Sequence, residues 1–137
     1  MKKILAFILA ILTVFSLLSC TAIAVGVEPR WNNTSSATVS LVIDENGEAT
    51  VSLSCVGKGG VTTRITAETK LERKWGIFWL DVDGAEWTDT TSNSYMGTSH
   101  YVQLSKKATY RAKTEYTVSG TGGANDTFTC ECEYTYD

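Results

Sequence analysis

The chain is 137 residues long and carries a formal charge of −3, from 12 Lys and Arg against 15 Asp and Glu. That length allows one ordinary domain, or a small domain with an export segment. No basic run is present that could neutralise a phosphate backbone, so nucleic acid is not expected as a partner.

Met1-Lys2-Lys3 leads into an almost uninterrupted apolar run from Ile4 to Leu18, followed by Ala22-Ile23-Ala24, the small-x-small form that signal peptidase cleaves. Residues 1–24 therefore read as a signal peptide of bacterial form and 25–137 as the mature domain. Losing Lys2 and Lys3 leaves ten basic and fifteen acidic residues, which takes the charge to −5. No second apolar stretch of spanning length follows, so a secreted product without a transmembrane segment is expected. Leu17-Leu18-Ser19-Cys20 offers a lipid-anchor alternative through acylation of Cys20. Leu18 is larger than the residue such sites usually carry, and the Ala22-Ile23-Ala24 site is close by, so cleavage after Ala24 is preferred. Asn33-Thr34-Ser35 and Asn125-Asp126-Thr127 fit the glycosylation pattern and are read only as surface-loop markers.

Threonine occurs 18 times after residue 24 and proline once, and no window spaces apolar residues helically, so strands are predicted throughout. Alternation is clean in Ala37, Val39, Leu41, Ile43 and again in Ala49, Val51, Leu53, Cys55, which predicts a hairpin. A two-residue Asn46-Gly47 turn would set an inward residue against an outward one. A three-residue loop, Glu45-Asn46-Gly47, pairs Ile43 with Ala49 and Leu41 with Val51, and puts Gly47 at the left-handed position. Ile65, Ala67, Thr69 and Leu71 mark a third strand, and Phe78, Leu80 and Val82 or their neighbours a fourth, joined through Trp75-Gly76. Gly84 to Ser99 reads as a long exposed connection, after which Val102 and Leu104 begin a short strand. Tyr110 to Val118 and Phe128 to Tyr136 alternate as a last hairpin. Its register is chosen by charge, with Lys113 opposite Glu131 and Arg111 opposite Glu133. About seven short strands predict an all-β chain folded as a single antiparallel β-sandwich.

Ala108-Thr109-Tyr110-Arg111-Ala112 resembles the tyrosine corner of immunoglobulin-like and fibronectin-like domains, with Lys106 where those domains often have Asp. The leading hairpin, the stretch Trp79, Val82, Trp87 and the Tyr110-Arg111 strand are similar to a family of small secreted proteins of Gram-positive gut anaerobes. That resemblance covers about four fifths of the chain. It implies an immunoglobulin-like sandwich and brings no activity with it. The chain departs from the family at Trp75-Gly76-Ile77-Phe78, where Ser and Gly are expected at the hairpin tip.

Candidate chemistry is sparse. His100 is the only histidine and reads as a strand-edge residue without a neighbouring nucleophile or zinc-ligand set. Cys130 and Cys132 ride one face of a strand and cannot bridge each other, so a disulfide would join Cys55 to Cys130 or Cys132; an all-reduced core is the alternative. Asp81, Asp83, Glu86 and Asp89 are a weak calcium candidate, because Gly84 is misplaced for an EF-hand loop, and a solvated acidic loop is the simpler reading. No metal or cofactor is expected.

Trp75, Ile77, Phe78 and Trp79 are the binding candidates. They put large apolar side chains where turn chemistry normally supplies polar ones; otherwise Trp75, Phe78 or Trp79 folds back to complete the core. The expected function is a secreted, non-catalytic binding or protein-interaction module whose partner is an extracellular protein or glycan. A carbohydrate-binding module using exposed Trp and Tyr is the alternative, and a small secreted hydrolase ranks behind both.

Overall fold

A computed structural model describes residues 30–137. The reading of residues 1–24 as a signal peptide and of Cys20 as a lipidation site lies outside the described residues. Seven strands follow one another: β1 (Thr34–Ile43), β2 (Glu48–Gly57), β3 (Thr62–Trp75), β4 (Phe78–Thr91), β5 (Tyr95–Gln103), β6 (Ala108–Gly120) and β7 (Asp126–Tyr136). They form two antiparallel sheets, one ordered β1-β2-β5 and the other β4-β3-β6-β7. The sheets pack face to face as a β-sandwich. In constant-type immunoglobulin domains the fourth strand shares a sheet with the first, second and fifth; here it lies beside the third in the other sheet. No helix among the described residues is long and apolar enough to cross a membrane.

Alternation builds the core. Val39, Leu41, Val51, Leu53 and Cys55 point inward from one sheet and Ile65, Leu71, Ala112, Tyr116 and Val118 from the other, all buried. Most outward positions on the four-stranded sheet are polar: Thr90, Thr66, Thr117 and Thr127 pair in one row across its strands. This explains why a threonine-rich sequence makes sheet rather than loop, since β-branched side chains suit a pleated, half-solvated face.

The first hairpin has the three-residue loop and register expected, with Ile43 opposite Ala49 and Leu41 opposite Val51. Gly47 adopts φ +83°, and its N–H donates to the Asp44 carbonyl at 3.0 Å. The Asp44 carboxylate accepts from the N–H groups of Asn46 and Glu48, both at 2.9 Å, and so braces the loop. The last hairpin also has the expected register, Lys113 opposite Glu131 and Arg111 opposite Glu133.

The stretch from Gly84 to Ser99 is not a long exposed connection. β4 continues to Thr91 and β5 begins at Tyr95, so only residues 92–94 link them. The cause is a large bulge in the β3–β4 ladder: Lys70 pairs with Glu86 and Glu72 with Asp81, so Val82 to Ala85 face the single Leu71. Gly84 supplies φ +72° within it. The bulge inverts side-chain parity along β4, so the inner face passes from Phe78, Leu80 and Val82 to Ala85, Trp87 and Asp89.

The tyrosine corner is present. Tyr110 is buried and its hydroxyl donates to the Lys106 carbonyl at 2.6 Å, so a main-chain acceptor serves whatever side chain stands at 106. Tyr110→Phe removes this bond and is expected to cost about 1 kcal/mol. That should appear as a melting temperature lowered by about 4 °C.

Of the two glycosylation patterns read as surface-loop markers, Asn125 is exposed in the β6–β7 turn, whereas Asn33 and the neighbouring Asp126 are buried. The Asn33 amide donates to the carbonyls of Val118 and Ala124 at 3.3 and 3.1 Å, while its side-chain oxygen accepts from Gly122 N–H at 3.0 Å. Both side chains tie the entry of β1 to the β6–β7 turn, which is why they are polar yet inside.

Candidate functional site

The third and fourth strands extend beyond the core as a two-stranded arm. Trp75 pairs with Phe78 across the two-residue turn Gly76-Ile77, and Gly76 has φ +62°, as the first central residue of a type II′ turn requires. Arg73 pairs with the inward Tyr110 of β6, so parity sets Arg73, Trp75, Phe78 and Leu80 on the arm's inner side. The shorter three-stranded sheet does not cover them. Trp75 is 64% exposed, Phe78 57%, Leu80 41% and Ile77, at the apex, 86%.

Trp79 is on the other face and behaves differently. It is half-buried, with the Arg111 guanidinium 4.2 Å from its ring centroid and the Lys74 ammonium 5.9 Å away. Arg111 is held in turn by Glu72, buried beneath it, at 2.8 Å. Of the four expected binding residues, Trp75, Ile77 and Phe78 therefore form an exposed apex, whereas Trp79 folds back into a cation–π stack. Leu80, on the same strand, joins the apolar face because it shares the parity of Phe78.

At the base of the arm a groove of about 360 Å³ opens between β3, β4 and the β5–β6 connection. Arg73, Lys106, Val82, Leu104, Asp81 and Asp83 line it. Lys107, beside Lys106, lies with its ammonium 5.4 Å from the Tyr136 ring centroid. A larger groove of about 500 Å³ lies along the four-stranded sheet and includes Glu68, Lys70, Lys113 and Glu115. Glu68 and Glu115 are direct neighbours on adjacent strands of one sheet face. They stand side by side rather than on opposing walls, unlike the carboxylate pair of a glycosidase.

The acidic residues offered as a calcium candidate do not form one loop. All four lie on β4, where pleat and bulge disperse them. Asp81 accepts from Lys70 at 3.0 Å, Glu86 lines the larger groove, and Asp89 lies 2.6 Å from His100 Nε2. No group of three or more His, Cys, Asp or Glu among the described residues is placed to hold a metal ion. His100, on edge strand β5, also stacks on Trp87 at 4.8 Å between centroids and 6° between planes. Asp89 and Trp87 come from the opposite sheet, so this cluster clasps the two sheets where β4 meets β5. Nothing in the sequence order signals it.

Cys55 and Cys130 are placed as free thiols, the all-reduced alternative to a bridge. Both are buried small hydrophobes, the Cys130 thiol 3.9 Å from the Ala37 carbonyl. Burial pushes Cys55 up to about 12, with Cys130 adding to the rise, and burial pushes Cys130 up to about 11. Thiolate is the reactive form. Iodoacetamide at pH 8 should therefore leave Cys55 and Cys130 unmodified in the native protein and label them after denaturation, as read by peptide mass spectrometry. The same shifts make stability independent of these thiols below pH 9.0, their ordinary value. It falls above that, as the unfolded chain ionises first.

Comparison with protein-family models, curated proteins and solved structures finds no match.

Proposed function

We propose that the protein is a secreted, non-catalytic binding module that engages its partner through the β3–β4 arm, in keeping with its resemblance to small secreted bacterial proteins. One observation carries this reading: Trp75, Ile77, Phe78 and Leu80 are exposed together at the end of a hairpin whose strands outrun the core. A fold of this size gains nothing from leaving them in water, and contiguous exposed apolar residues mark contact sites. The test is a capture screen of the mature protein against extracellular proteins and immobilised glycans, run beside a variant carrying Trp75→Ser and Phe78→Ser. Capture that the variant loses supports the arm. Capture that it keeps rejects it.

A second reading, carbohydrate binding, rests on the outer face of the three-stranded sheet. Ser40, Ser52 and Ser99 form one hydroxyl row there, with Ser52 and Ser99 oxygens 3.0 Å apart. Tyr95 and Tyr101 stand exposed on the same face of β5. Hydroxyl groups between aromatic platforms suit a glycan. Glycan-array binding abolished by Tyr95→Ala and Tyr101→Ala, but not by the arm variant, would favour it.

A further inference from the structure

Resting on the arm as the contact site, we propose that its partner is an anionic phospholipid surface. Trp75, Ile77 and Phe78 enter the bilayer interface, and Arg73, Lys74, Lys106 and Lys107 meet the headgroups.

The size of the patch is the first argument. At about 150–250 Å² for each large side chain, the fractional exposures of Trp75, Ile77, Phe78 and Leu80 amount to roughly 500 Å². A stable protein interface takes about 800 Å² from each partner. The arm falls short of that alone. Its shape is the second argument, because a two-residue turn with its most exposed side chain at the apex is a convex wedge. A protein partner would need a matching pocket, whereas a fluid bilayer closes around a wedge of any outline. The side chains are also those that favour this depth, since Trp settles at the membrane–water boundary and Ile and Phe beneath it.

Charge identifies the kind of surface. The chain as a whole is acidic, at −3, yet Arg73, Lys74, Lys106 and Lys107 gather at the end that bears the arm. Of the neighbouring carboxylates, Glu72 is engaged by Arg111 at 2.8 Å and Asp81 by Lys70 at 3.0 Å, while Asp83, which lines the same groove, and Asp137 are exposed and are outnumbered by the four cations. Arg73 and Lys106 line the groove at the arm's base, beside Leu80 and beyond it Phe78. An anionic headgroup in that groove would place its acyl chains along the apolar side of the arm. The acidic turn at Asp44 and Glu45 closes the other sheet at the same end, so the molecule would lean with the four-stranded sheet toward the bilayer.

The test is co-sedimentation with vesicles of phosphatidylcholine, alone or mixed with phosphatidylglycerol. The protein used lacks residues 1–24, since residues 30–137 contain both sheets and the whole described core, and the N-terminal apolar run would bind lipid by itself. It should pellet with the mixed vesicles and much less with phosphatidylcholine alone. Trp75→Ser with Phe78→Ser should lower partitioning at least tenfold without changing the melting temperature. Lys106→Gln with Lys107→Gln should lower it about fivefold per charge removed. Wild-type protein left in the supernatant with both vesicle types overturns the lipid proposal alone; capture of a protein or glycan through the arm would then still uphold the binding module. A Trp75→Ser, Phe78→Ser variant that pellets as well as wild type overturns the arm as the lipid contact, while the capture screen with the same variant decides its role toward a protein or glycan.

Discussion

Tyr116→Ala is expected to be among the most damaging single substitutions in the chain, at about 4 kcal/mol, a melting temperature lower by about 15 °C. Tyr116 is fully buried, and its ring lies 5.5 Å from that of Phe128, which stacks on Trp31 at 4.7 Å. Its hydroxyl donates to the Thr38 carbonyl at 2.7 Å, with the Ser54 carbonyl at 3.4 Å. A residue of β6 thus bonds to β1 and β2, so one side chain fills the space between the sheets and locks their relative position. Burial pushes its phenol far above the ordinary range, which keeps the proton on the donor. Tyr116→Phe separates the two contributions: it keeps the ring and should cost only about 1 kcal/mol. Chemical denaturation of the three proteins measures both steps.

Asp126→Ala is the second. Its carboxylate accepts from Asn32 N–H, Asn33 N–H and the Thr34 hydroxyl, each at 2.8 Å, and so anchors the start of β1 beside β7. Hydrogen bonds to a charged group are worth about 1.5–3 kcal/mol each but are not additive, so a loss of about 3 kcal/mol is expected at pH 7. Burial is the largest influence on this carboxyl and pushes it up, yet the donors of Asn32, Asn33 and Thr34 together outweigh it and hold it below its ordinary 3.8. The sign follows directly. A lowered acid stabilises the fold above its ordinary value and ceases to as pH falls through the folded value. The gap between wild type and Asp126→Ala should therefore be full at pH 7 and narrow steadily below about pH 4. A gap that stayed constant to pH 2 would mean that the carboxylate's charge plays no part.

Particular residues explain how much of this was legible in the sequence. Parity alone fixed the β1–β2 loop, because only one loop length sets Ile43 and Ala49 on the same face. Opposite charges fixed the last hairpin, where Lys113 meets Glu131. β4 was half lost because both rules assume unbroken alternation. The bulge opposite Leu71 puts Phe78 and Trp87 on the same inner face although unbroken alternation would set them on opposite ones, and the Thr-rich stretch after it then reads as loop. The exposed apex of the candidate site was visible from Trp75, Ile77 and Phe78 standing at a turn. The fate of Trp79 was not, since it depends on Arg111, a neighbour supplied by β6. Asp89 with His100 was hidden for the same reason, as the partners belong to opposite sheets. Asn33 and Asp126 were misplaced because a local glycosylation pattern carries no information on long-range hydrogen bonds.

The central claim is that the fold does not need the apolar end of the β3–β4 arm. Urea denaturation of a protein carrying Trp75→Ser and Phe78→Ser tests it most directly, with Leu71→Ala as the comparison because Leu71 is fully buried on the same strand. Leu71→Ala should lose about 3 kcal/mol. The double variant should stay within about 0.5 kcal/mol of wild type with an unchanged slope. A loss in the double variant as large as that of Leu71→Ala would put Trp75 and Phe78 in the core and contradict the account.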